Sequence, residues 1–134
     1  MINKLYNLPD ISFIGGDSFP IIFTLFKDEA QCVPFELDNG MTAYFSVTHY
    51  ANRDYTSTTF SLSTEDENSA ISYQDAGDGF NNLFVVQIPT EKTIDLFGKY
   101  IYQITLVSED GQPEILGQGI MDIIRNIDKS ILIY

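Results

Sequence analysis

The chain has 134 residues, of which 44% are hydrophobic and 19% charged, too apolar for a disordered acidic tail and about the right length for one domain with one core. Seven Lys and Arg stand against 19 Asp and Glu, and the net charge of -12 repels phosphate backbones and anionic bilayers, so neither nucleic acid nor membrane is expected as a partner. Cys32 is the single cysteine, which excludes an internal disulfide and leaves it to be read as a small half-buried hydrophobe.

Taken in chain order, the elements have a period of two. Pro9-Asp10 interrupts the start before any apolar leader can develop, so no signal peptide is expected and synthesis is read as cytoplasmic. Gly15-Gly16-Asp17 is a turn, followed by a strand in which Phe19, Ile21, Phe23 and Leu25 alternate. After a second turn at Asp38-Asn39-Gly40, Ala43, Phe45 and Val47 mark another strand. The polar stretch from Asn52 to Gln74 predicts a short edge hairpin and a mobile loop. Beyond the turn at Asp75 to Gly79, Phe84, Val86 and Ile88 alternate again.

Between Pro89 and Gly98, Thr90 to Leu96 predicts a single helical turn, the one helical piece in the chain. Tyr100, Tyr102, Ile104 and Leu106 then define a strand running from Lys99 to Val107. Asp110-Gly111 predicts a hairpin back into a strand from about Glu114 to Ile124. In that last strand neither phase of the alternation is cleanly apolar, which points to a bulge at Gly117-Gln118-Gly119 or to burial on both faces. Residues 126–134 form an apolar tail, read either as an extra strand or as a docking strand for a neighbouring subunit. The whole is an all-β chain, one domain over 1–134, expected as an immunoglobulin-like antiparallel β-sandwich of about seven to nine strands, with a small barrel as the alternative.

Groups that do chemistry are sparse. His49 is the sole histidine, at the end of a strand, and reads as a hydrogen-bonded surface residue rather than a base. With Cys32 it falls short of a zinc ligand set. Asp75-Ala76-Gly77-Asp78-Gly79 lacks the terminal Glu of a calcium loop, and Gly15-Gly16-Asp17-Ser18 lacks the Lys of a phosphate loop. Among 19 acids some pair will lie at a glycosidase-like separation by chance, so a small hydrolase is the weakest reading. No catalytic residue, metal or cofactor is expected.

Three segments resemble the N-terminal immunoglobulin-like domain of phage baseplate upper proteins. These are Ile11-Ser12-Phe13-Ile14-Gly15-Gly16-Asp17 with the strand from Phe19 to Leu25, Pro34-Phe35-Glu36-Leu37 leading into Thr42-Ala43-Tyr44-Phe45-Ser46-Val47, and Asp95-Leu96-Phe97-Gly98-Lys99-Tyr100-Ile101-Tyr102. Family members continue past this domain into a helix and a receptor-binding or connector region, whereas this sequence stops at Tyr134. The resemblance implies a non-catalytic adaptor in a phage or prophage tail baseplate, located in the virion, whose partners are other tail proteins or further copies of itself. The third segment is also similar to the tyrosine corner of immunoglobulin and fibronectin type III sandwiches, which makes Gly98 and Tyr100 the structural corner, with the Tyr100 hydroxyl as its tie. Ile22, Phe26 and Ile101, on strand faces opposite the core, together with Ile131, Leu132, Ile133 and Tyr134, are the candidate interface. The alternative is a carbohydrate- or cell-surface-binding module using Tyr44, Tyr50, Tyr55 and Tyr73.

Overall fold

A computed structural model describes residues 8–25, 37, 40–52, 58–75 and 82–128. Eight strands are seen among them: β1 (Ile11–Ile14), β2 (Ile21–Thr24), β3 (Thr42–His49), β4 (Phe60–Ser63), β5 (Ile71–Gln74), β6 (Leu83–Val86), β7 (Gly98–Val107) and β8 (Pro113–Ile124). A single-turn helix, α1 (Thr90–Thr93), lies between β6 and β7, where Pro89 and Gly98 bracket the predicted turn. The strands make a five-stranded sheet ordered β1-β8-β7-β3-β4 and a three-stranded sheet ordered β2-β6-β5. This is the expected immunoglobulin-like β-sandwich, and among the described residues no helix is long and apolar enough to cross a membrane.

Alternation decides which side of each strand loses water. In β3 the buried residues are Ala43, Phe45 and Val47, and in β7 they are Tyr100, Tyr102, Ile104 and Leu106, each set lying on one face of its strand. Pairing brings Ala43 opposite Leu106, Phe45 opposite Ile104 and Val47 opposite Tyr102, so the apolar halves of both strands coincide. Four rings then close the two sheets on each other. Phe45 stacks on Tyr102 at 5.4 Å between centroids, and Phe23, from the three-stranded sheet, meets Tyr102 at 5.6 Å, Phe84 at 6.2 Å and Phe45 at 6.3 Å. Burying side chains of this size contributes roughly 1.5–3 kcal/mol each.

The mixed phase of β8 has a bulge as its cause, placed just before the expected Gly117-Gln118-Gly119, whose three residues all pair regularly with β7. Ile104 pairs with Gly117 while the next residue, Thr105, pairs with Ile115, leaving Leu116 as the extra residue. Leu116 is thereby turned into the core, and beyond it the buried phase passes to Gly119, Met121 and Ile123. At the β7–β8 turn the Ser108 hydroxyl and the Gln112 N–H donate to the Asp110 carboxylate and hold its carboxyl below the usual range.

Three expectations change. β4 and β5 are not a hairpin: β4 joins β3 in the larger sheet and β5 joins β6 in the smaller, so the polar segment crosses between sheets. The connection is tied down locally, by the Thr64 hydroxyl accepting from the Ala43 N–H at 3.0 Å and by the Asp66 carboxylate accepting from the Ser63 N–H at 3.0 Å. Phe19 lies outside β2 and is exposed, so its strand's inward series starts at the half-buried Ile21. Finally, β1 pairs with β8 in parallel, the one parallel pairing among the described strands of an otherwise antiparallel sandwich.

Candidate association surface

The site is built on the parallel β1–β8 pair. Register places Ile14 beside Ile124, and Phe97 directly precedes Gly98, the β7 residue paired with Ile123. These three side chains, on adjoining strand ends, are 50%, 52% and 60% exposed. Arg125 sits at the rim, its guanidinium 6.0 Å from the Phe97 ring centre, and Ile127 beyond it is more exposed still. The middle of the same sheet's outer face differs in kind. There the Gln118 amide donates to Gln103 at 2.8 Å and the hydroxyls of Ser46 and Ser61 pair at 3.0 Å. Ile14 and Ile124 thus share one end of the sheet, while Ile115, also exposed, stands apart from them nine positions earlier on β8.

A buried set of polar contacts holds that end in place. The Gly16 N–H donates to the Thr93 hydroxyl at 2.8 Å, the Thr90 hydroxyl donates to the Gly16 carbonyl at 2.9 Å, and the Asn126 amide donates to the Gly15 carbonyl at 2.6 Å. The turn after β1, the helix α1 and Asn126, two residues past β8, are thus locked together, and backbone groups that would otherwise be orphaned find partners. The Gly15 N–H completes the pairing by donating to the Ile124 carbonyl at 2.8 Å.

The structural corner is divided between two tyrosines. Gly98 has φ of 109°, a conformation that glycine adopts without the strain of a Cβ, and it lets the chain turn from α1 into β7. Tyr100 does reach back, but its hydroxyl lies 3.5 Å from the Phe97 carbonyl, at the limit of a hydrogen bond. Tyr102 makes the firmer tie, donating to the Pro9 carbonyl 93 positions away in sequence. Burial, aided by the charge of Asp10, pushes the Tyr102 phenol well above its ordinary range, and burial raises Tyr100 too, against the lowering effect of its bond to Phe97.

The candidate interface residues do not converge. Ile22 is exposed, but on the outer face of the three-stranded sheet, while Ile101 is half-buried on the outer face of the five-stranded one, between Thr48 and Ile120. Phe26 and Ile131, Leu132, Ile133 and Tyr134 lie outside the described residues, as do Cys32, Tyr55 and most of the Asp75 to Gly79 loop. Ile14, Phe97 and Ile124 were not singled out from the sequence. Their signal was there in part, since Ile124 is out of phase with Met121 and Ile123, but its neighbours depend on a parallel pairing that no local pattern encodes.

The tyrosines proposed as a sugar platform are dispersed. Tyr44 faces outward on the five-stranded sheet, its hydroxyl 3.4 Å from Glu65; Tyr73 is half-buried and donates to the Met41 carbonyl at 3.0 Å; Tyr50 carries the Lys99 ammonium over its ring at 4.4 Å. His49 accepts the Ala51 N–H on Nδ1 at 3.2 Å and packs edge-on against Tyr100, 5.0 Å between ring centres. Among the described residues, no cluster of three or more His, Cys, Asp or Glu could hold a metal ion.

No protein-family profile matches the chain, and no curated protein matches it. Among solved structures, CopC from Methylosinus trichosporium OB3b is similar over 69% of this chain and 85% of its own, with 9% identity and a TM-score of 0.31.

Proposed function

We propose that this chain is a non-catalytic adaptor of a phage or prophage tail baseplate, made in the bacterial cytoplasm and carried in the virion, which works by associating with other tail proteins or with copies of itself. The resemblance in three segments supports the tail assignment. The observation that carries association is the row of Ile14, Ile124 and Phe97. Single exposed apolar residues are ordinary on any surface, but three on adjoining strand ends, fixed by buried hydrogen bonds, make a preorganised patch of the kind that partners cover. His49, engaged by backbone and by a ring, supports a reading without turnover.

Immunogold electron microscopy tests the assignment. Antibody raised against the purified chain should decorate the tail tip of phage particles released from the encoding bacterium, and label should vanish when the chain carries Ile124→Asp together with Phe97→Asp. Tails that remain unlabelled with the unaltered chain would overturn the reading.

A further inference from the structure

The outer face of the three-stranded sheet carries a groove of about 390 Å³, within the size range of small-molecule clefts. Ser18, Asn68, Ser72, Gln74 and Gln87 line it, and among the described residues no charged side chain does. In a chain with a net charge of -12, that is a marked local departure. These five side chains are exposed, and no hydrogen bond from them to another described residue is seen, unlike Ser69 at the groove wall, whose hydroxyl donates to the Ile71 carbonyl at 2.9 Å. Hydroxyl and amide groups of this kind both donate and accept.

The floor is apolar. Val85, paired in register with Ile22 on one side and Ser72 on the other, lines the groove together with Pro20 and Ala70 and is 7% exposed. Phe19, next in sequence to the lining residues Ser18 and Pro20, is 79% exposed, and its backbone is held by its N–H donating to Asp17 at 2.9 Å.

We infer that this groove is a binding site for a neutral oligosaccharide. Sugar hydroxyls donate and accept at once, as Ser, Asn and Gln side chains do, and the C–H face of a sugar ring suits a floor of Val85 and Pro20. An acidic glycan would find no Lys or Arg in the groove and would be repelled by the surrounding charge. A peptide would find no deep apolar pocket for an anchoring side chain. The site stands independently of the adaptor reading, since it lies on the other sheet from the Ile14, Ile124 and Phe97 row.

The test is a titration of the isotopically labelled chain, followed by amide chemical shifts, with maltohexaose, cellohexaose, chitotetraose and mannotetraose, and with trigalacturonate as the charged control. At least one neutral sugar should shift the amides of Ser69 to Gln74 and of Gln87 saturably, with a dissociation constant of about 1 mM or tighter. Gln74→Ala combined with Gln87→Ala, both exposed positions, should weaken binding about tenfold or more while leaving the rest of the spectrum in place. Ile124→Asp should bind as the unaltered chain does. The proposal is overturned if none of the four neutral sugars gives a saturable shift, if trigalacturonate binds as well, or if the double substitution leaves affinity unchanged.

Discussion

Tyr102 lies across Gly119. The two are direct partners in the β7–β8 ladder, and the phenol ring fills the space where any side chain at position 119 would stand, so a Cβ there would fall 2.6 Å from ring carbons and hydroxyl alike. The ring has nowhere to retreat: it stacks on Phe45, is touched by Phe23, and its hydroxyl is bonded to Pro9. A strand glycine that weakens its own ladder thus admits the central ring of the core.

Gly119→Ala should cost about 1–3 kcal/mol, the usual penalty for forcing an extra methyl into a packed interior. Gly111→Ala is the comparison, because φ there is 85° but nothing lies within 4 Å of the added methyl. Its cost should be about 1 kcal/mol and purely conformational. Urea titration of both variants checks the order, and equal midpoints would mean that the Tyr102 ring yields.

Tyr102→Phe should lose about 0.5–1.5 kcal/mol, since it removes the bond that ties β7 to Pro9. Tyr100→Phe should lose less than about 0.5 kcal/mol, because its hydroxyl sits at the outer limit of bonding distance from Phe97. The Gly98 to Tyr102 pattern points to Tyr100 as the tie, but the firmer bond in the structure is that of Tyr102. Matching losses for the two variants in the same denaturation experiment would restore the original assignment.

Stability should fall as pH rises above about 10, the ordinary phenol value. The pKa of Tyr102 is raised by burial in the folded state, so below that pH both states hold the proton and the contribution is intact. Above it the unfolded chain releases the proton while the folded one keeps it, and the balance moves toward unfolding. The slope of unfolding free energy against pH between about 10 and 11 should be shallower in Tyr102→Phe than in the unaltered chain, while Tyr100, also raised by burial, contributes in both. Parallel slopes would rule Tyr102 out as the titrating group.

Thr93→Val should destabilise by about 1–3 kcal/mol, because it keeps the side-chain shape but leaves the buried Gly16 N–H without its acceptor. Thr93→Ser, which keeps the hydroxyl, should lose less. Hydrogen exchange at the Gly16 amide supplies the specific readout: it should speed up in the Val variant and stay slow in the Ser variant.

Much of the architecture is legible in the chain itself. Ala43, Phe45 and Val47, or Tyr100, Tyr102, Ile104 and Leu106, announce an inward face because a strand's period of two is a property of its own residues. The Pro89 to Gly98 bracket announces the helical turn, and the broken phase before Ile120 announces the bulge, for the same local reason. Pairing between distant segments leaves no such trace. That β4 and β5 part to opposite sheets, that β1 runs parallel to β8 and so sets Ile14 beside Ile124, and that Pro9 waits for Tyr102 rather than Tyr100 are matters of which strand ends meet in space. Exposure of a side chain is likewise decided by its neighbours across the sheet. The apolar residues left exposed at the β1–β8 end were therefore settled by tertiary packing, while the residues that face the core could be read in order along the chain.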